Sequence, residues 1–471
     1  MAMGKKRRSQ QEELWIETRS LPKAPGHPFY QKLNEILGKH GFDDFVEDLC
    51  APHYAEKTGR PSIPPGVYFR MFMLGYFEGV DSERGIAWRV ADSLTMRAFL
   101  GFELTEPTPD HSTLAKIRQR LPIELHQEVF NWILAVLAKE GLLKGKTVGV
   151  DATSLEANAA LRSIVRRDTG QAYREYLETL AKASGIETPT REDLAKLDKK
   201  RPKKGSNDDW QHPHDPDARI TKMQDGSTHL AHKAEHTIDL DTQAIIAINL
   251  CGADEGDTET LGWSLVQAHW NLAAVAEDPQ ARRRLSDKQL AEVVTDKGYH
   301  SNDTLKSLSA AGIRTHLSEP NRGRRKWRGD HEAQAAVYAN RRRLGSERGK
   351  ALQRLRAEYN ERSFAHTLET GSMRRVHLRG RTNIYKRMCI HAAAFNLSLI
   401  LRKTVGAGTP RGLHGLIHAL GSLHRLLRSL LEGVVARVVG VCINFRFRVR
   451  MRIRHALRAL QSPNVALSTG C

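Results

Sequence analysis

The stretch Lys146–Asn158 reads KTVGVDATSLEAN. Its first part, Thr147 to Val150, is a short apolar strand ending on a single carboxylate, Asp151, after which polar residues take over. A strand anchored in a core, with its last residue turned to solvent, holds that residue rigidly enough to bind a metal. The pattern returns at Leu290–Lys297, LAEVVTDK, where an apolar strand ends on Asp296 and Gly298 follows to let the chain turn. A third acid, Glu361, lies in YNERSFAHTLE, where Tyr359, Phe364 and Leu368 recur at helical spacing. Two strand-end aspartates and one helical glutamate form the candidate catalytic set.

The order of elements around these acids points to an α/β fold. After Asp151 comes a charged stretch, about 161–225, that reads as an insertion. Two β-rich runs follow, Thr228 to Ile238 and Ala244 to Leu250, joined at Asp239–Thr242 as a hairpin. His229, His232 and His236 fall in the first run, but strand alternation puts His229 on the face opposite the other two, which argues against one metal site. A helix over Asp254–Val275, the Asp296 strand, a helix over Asn302–Ala311 and a strand over Arg314–Leu317 complete a mixed sheet with helices packed on it. No local motif spans the distance between the three acids, so any shared site has to be assembled by the fold.

Upstream, residues 1–25 read as a basic tail and 26–140 as a helical N-terminal domain. Val67–Tyr76 is apolar almost all round and is expected to be buried. Ser82 is placed to cap a helix over Glu83–Asp92, and Ser112 one over Thr113–Arg120 that carries Lys116, Arg118 and Arg120. Short helices of this kind satisfy both a helix-turn-helix, with the basic helix against DNA, and a plain bundle with a solvated charged face. Downstream, 405–471 is a basic extension in which Phe445–Arg454, FRFRVRMRIR, alternates strictly, so an extended strand would gather five arginines on one face. Both a DNA-binding arm and an extension without a role fit it.

Composition agrees with a nucleic-acid partner. The 471 residues carry 73 Lys and Arg against 54 Asp and Glu, a net charge of +19, which favours a polyanion over a neutral ligand. The runs Lys199–Lys204 and Arg322–Arg328 add to this basic character. Five dispersed cysteines without a CxxC pair suggest neither a zinc site nor a disulfide framework and fit a reducing, cytoplasmic setting. Arg and His interrupt the apolar runs, so no membrane span is expected.

Four stretches, VGVDATSLEAN, DPDARITKMQDGSTHLAHKAEHTIDLDT, VVTDKGYHS and NERSFAHTLETGSMRRVHLRGRTNIYKRMCIHAAAFNLSLILR, resemble the DDE transposases of bacterial insertion sequences, in the broad group that includes the IS-four and IS-five types. Gly59–Leu121 is similar to the helical N-terminal domain common in that group. The resemblance implies an RNase H-like catalytic domain, here 141–404, with Asp151, Asp296 and Glu361 as ligands of Mg²⁺ or Mn²⁺. Hard oxygen donors suit such ions, and two of them about 4 Å apart activate an attacking oxygen and stabilise the leaving one in phosphodiester chemistry. The resemblance further implies cleavage at the element's ends, transfer of the 3′-hydroxyl to target DNA, assembly as a homodimer or larger complex on DNA, and association with the nucleoid. Lys297, Arg356, Arg362, Arg374, Arg375 and Arg379 are candidate phosphate contacts beside the acids, with Lys116, Arg118 and Arg120 in the helical domain. The chain departs from related groups where an Arg usually precedes the third acid and a Lys follows it, since Ala357 and Leu368 stand there. Glu358 and Glu369 are alternatives for the third acid. A metal-dependent nuclease that does not join strands, and an inactive DNA-binding relative, are the competing readings.

Overall fold

The computed structural model describes residues 26–55, 62–201, 206–223, 225–321, 323, 325, 327 and 329–460. The tail 1–25, part of Lys199–Lys204 and alternate residues of Arg322–Arg328 lie outside the described residues.

A helical array comes first: α1 (Pro28–Lys39), α2 (Phe42–Cys50), α3 (Pro65–Glu78), α4 (Glu83–Asp92), α5 (Leu94–Leu100), α6 (His111–Arg120) and α7 (Ile123–Lys139). Apolar on every side, α3 is buried from Gly66 to Phe77; the one charge in that run, Arg70, is paired with Asp43 of α2. Ser82 caps α4 through the Gly85 N–H. The cap of α6 is Asp110 rather than Ser112, because the Asp110 carboxylate accepts both the Thr113 N–H and the Ser112 hydroxyl and carries a charge that suits a helix N-terminus. A single residue, Ser93, joins α4 to α5 and caps the latter.

The sheet begins with β1 (Thr147–Glu156) and is completed by β4 (Arg219–Lys222), β5 (Thr228–Asp239), β6 (Ile245–Gly252), β7 (Glu292–Thr295) and β8 (Arg314–Leu317), while β2 (Val165–Arg166) and β3 (Trp210–Gln211) make a small separate pair. Across the sheet the order is β4-β5-β1-β7-β8, with β6 also on β5; β1, β5 and β6 are antiparallel neighbours, and β7 and β8 run parallel to β1. The helices α10 (Asp257–Glu277) and α14 (Glu347–Ala365) pack on the strands. Gly149 is what lets α14 come close: a Cβ there would sit 2.9 Å from Asn360 Oδ1 and 3.0 Å from Arg356 Cγ.

Two of the outer strands, β6 and β8, are each closed by an asparagine that imitates a neighbouring strand. Asn396 gives and takes a hydrogen bond at Ile245 of β6, each 2.9 Å, and Asn340 does the same at Leu317 of β8, at 2.8 and 3.0 Å. Edge strands otherwise expose free N–H and C=O groups that recruit other chains.

The insertion contributes α8 (Tyr173–Ala183) and α9 (Arg191–Lys200), held by a small apolar cluster of Leu177, Ala181 and Leu194. Further on lie α11 (Pro279–Arg282), α12 (Asn302–Ala310) and α13 (His331–Gly345). Then α15 (Arg381–Val405), buried from Met388 to Leu401, packs on α7, α3 and β6 together. One helix from the end of the chain thus shares its core with both the helical array and the sheet, and the two form a single compact unit reaching Pro410 rather than separating near residue 140. The remainder is a second unit, the helix α16 (Pro410–Leu460). FRFRVRMRIR is helical there, not extended: with no neighbouring strand to pair with, a helix satisfies the backbone hydrogen bonds internally. Among the described residues no helix is long and apolar enough to cross a membrane.

Candidate active site

The register of β1 and β7 brings the two aspartates together. Thr147 pairs with Glu292, Val148 with Val293 and Gly149 with Val294, so two residues further along Asp296 comes level with Asp151 on the adjacent parallel strand. Asp151 is not the end of its strand, as its sequence context suggests, because β5 stays paired to β1 as far as Glu156. It is an end only with respect to β7, which stops at Thr295. The carboxylate therefore stands where the sheet opens, held by an antiparallel ladder on one side and free on the other.

On the β5 side the register partner of Asp151 is His236, buried and stacked on Phe364 of α14 with ring centroids 4.4 Å apart. Burial pushes the Asp151 carboxyl up to about 6, and Asp296 pushes it the same way; the Arg356 guanidinium and the Ala152 N–H oppose them. Arg356 Nη1 donates to Asp151 Oδ2 at 2.6 Å. Asp296 accepts the Gly298 N–H at 2.9 Å, and Tyr299 anchors this turn by donating to buried Glu235 at 3.1 Å. Glu235 also accepts from Thr260 and Ser264 of α10, so the turn carrying Asp296 is tied to the helix on the far face of the sheet. Glu235 and Tyr299 are positioning residues whose partnership no sequence pattern announced.

Glu361, exposed on α14, lines a cleft of about 650 Å³ together with Asp151, Glu156, His229, Phe364, Glu369 and Arg374. Glu358 is instead paired with Arg362. The third acid thus faces the same cleft as Asp151 but is not drawn up to the pair: among the described residues no three His, Cys, Asp or Glu side chains are grouped closely enough to hold a metal ion. Two carboxylates level with each other on adjacent parallel strands, one of them half-buried, nevertheless suit a hard divalent cation, and the guanidinium already on Asp151 marks the place where positive charge is accepted. A second cavity of about 460 Å³, lined by Ile123, Gln127, Trp263 and Tyr385 among others, contains none of the three acids.

The basic residues divide. Arg374, Arg375 and Arg379 are exposed on the segment that pairs with the far end of β1, where Val376 N–H donates to Glu156 O. Arg374 also pairs with Glu369, and Arg375 lies 3.6 Å from Glu156. Lys297 is exposed beside Asp296. Arg362 is committed to Glu358 and to Gln243 in the β5–β6 turn. In the helical array Lys116 and Arg120 are exposed, Arg120 lying over the Tyr54 ring, whereas Arg118 is buried against Glu83 and Asn383. Arg118 is therefore a tie between α4, α6 and α15 and not a phosphate contact: its position in a basic run conceals that it points inward. His229, His232 and His236 are separate, with His232 paired to buried Asp215 at 3.3 Å.

Residues 19–120 match the family model described as a transposase domain, DUF772. A search of curated proteins found no match. The family match reaches from α1 to α6 of the helical array and supports a transposase role for the chain, with DNA as the implied partner.

Proposed function

We propose that the chain is a DDE transposase whose catalytic sheet is RNase H-like, with Asp151, Asp296 and Glu361 as its metal-binding acids. The observation that carries this reading is the juxtaposition of Asp151 and Asp296 at the opening between parallel strands, with Glu361 on the wall of the same cleft. A central strand flanked by an antiparallel hairpin on one side and two parallel strands on the other supports it.

The three carboxylates would hold Mg²⁺ or Mn²⁺, which activates the attacking oxygen and stabilises the leaving one in phosphodiester cleavage and transfer. The protein's own share is positional. β1 and β7 fix two carboxylates on a rigid sheet, Tyr299 and Glu235 hold the Asp296 turn, and Arg374 in the cleft, with exposed Arg375 and Arg379 on the same segment, offers charge to the DNA backbone. Lys116 and Arg120 of the helical array extend this basic surface.

Cleavage and strand transfer on the element's own ends, with Mg²⁺, should be abolished by Asp296→Asn while DNA binding persists. Cleavage without joining by the unaltered chain would indicate a nuclease instead. Binding with no metal-dependent cleavage would indicate a DNA-binding protein only.

A further inference from the structure

Arginines that serve as structural ties in this protein are held by more than one bond. Arg341 grips Glu319 through Nε and Nη2, and Arg343 holds Thr315 through both its carbonyl and its hydroxyl. Arg348 reaches both carboxylate oxygens of Glu292, each at 2.8 Å. Arg356 differs. Its one hydrogen bond runs from Nη1 to Asp151 Oδ2; its Nε, like those of Arg70 and Arg97, is buried without a partner. A buried guanidinium donor left unpaired is costly, and a single charged bond is a weak structural tie.

Placement explains what the arrangement is for. The side chain of Arg356 is only 13% exposed and lies against Gly149, two residues before Asp151 on the same face of β1. Its guanidinium meets the Asp151 carboxylate, whose own neighbour one strand across is Asp296. Arg356 therefore supplies positive charge where a divalent cation would bind, so the two cations repel each other and compete for Asp151.

Resting on the reading of Asp151 and Asp296 as metal ligands, we propose that Arg356 is a displaceable internal cation, which holds the carboxylates in place before loading and with which the metal must compete for Asp151. Metal binding is thereby coupled to release of the Arg356 side chain from Asp151, while Asn360 and Ser363 keep α14 on β5.

Calorimetric titration of Mn²⁺ into the full chain without DNA tests this. Arg356→Met, which keeps the length and apolar packing of the stem, should bind Mn²⁺ roughly tenfold more tightly than the native chain, since a positive charge beside the site has been removed. Arg356→Lys, which keeps the charge, should stay close to native affinity. Equal or weaker Mn²⁺ binding by the folded Arg356→Met chain would overturn the proposal; should that variant not fold, Arg356→Gln replaces it under the same criterion. Asp151→Asn and Asp296→Asn separate the two levels. If native-strength Mn²⁺ binding survives both, the metal-ligand reading itself fails; if both abolish it while Arg356→Met leaves it unchanged, only the role of Arg356 fails.

Discussion

Gly149 shows how one residue sets the geometry of the candidate site. Lying on the same face as Asp151, it has to be small because α14 passes directly over it. Gly149→Ala should lower stability by about 1–3 kcal/mol through overpacking, measurable as a reduced denaturant midpoint. Buried histidines set a pH limit at the same scale. Burial pushes His236 from 6.5 down to about 3 and His126 to about 4. Between those values and 6.5 the unfolded chain binds protons that the folded chain refuses, so stability is intact above 6.5 and falls as the pH drops. Unfolding at pH 4.5 against pH 7.5 should show a loss of about 2–3 kcal/mol for each of these residues. His236→Phe, which preserves a ring against Phe364, should remove its part of that slope.

Among the elements, the outer strands β6 and β8 each depend on one side chain at the open edge. Asn396 on β6 and Asn340 on β8 replace a missing neighbour with an amide that both donates and accepts. Replacing either by Leu leaves a buried N–H and C=O unsatisfied and should cost about 1–3 kcal/mol, read by chemical denaturation. Faster aggregation on mild heating should accompany it, followed by light scattering, because the freed edge is a template for another strand. Asn→Asp at either position should be nearly as damaging, since it retains the acceptor and loses the donor. An unchanged midpoint in the Leu variants would mean that the helices alone cover the edges.

At the scale of the whole molecule, the helical array and the sheet are bound into one unit by α15, and the full chain carries a net charge of +19. DNA binding should therefore weaken steeply with salt. Replacing Arg374, Arg375 and Arg379 together by Ala should reduce the slope of log affinity against log salt by about 2–3, lowering affinity for all sequences alike. Arg118→Ala is expected to behave differently, reducing thermal stability because Glu83 loses its buried partner, with the salt slope unchanged. A variant whose salt slope falls without loss of stability would return Arg118 to the DNA-contacting surface.

Short-range physics made much of this chain legible as a sequence. The hairpin, the strands ending near Asp151 and Asp296, the buried α3 and the helix bearing Glu361 all follow from periodicity and from turn residues, which act over a few positions. What only the tertiary structure decided are relations between distant segments. These include the register that sets Asp296 level with Asp151, the inward turn of Arg118 within a basic run, the hold of Tyr299 on Glu235, and the single bond from Arg356 to Asp151. The alternating arginines of FRFRVRMRIR make the same point from the other side. Alternation suits a strand, but a strand needs a neighbour for its hydrogen bonds, and where none pairs with it the backbone closes on itself as a helix.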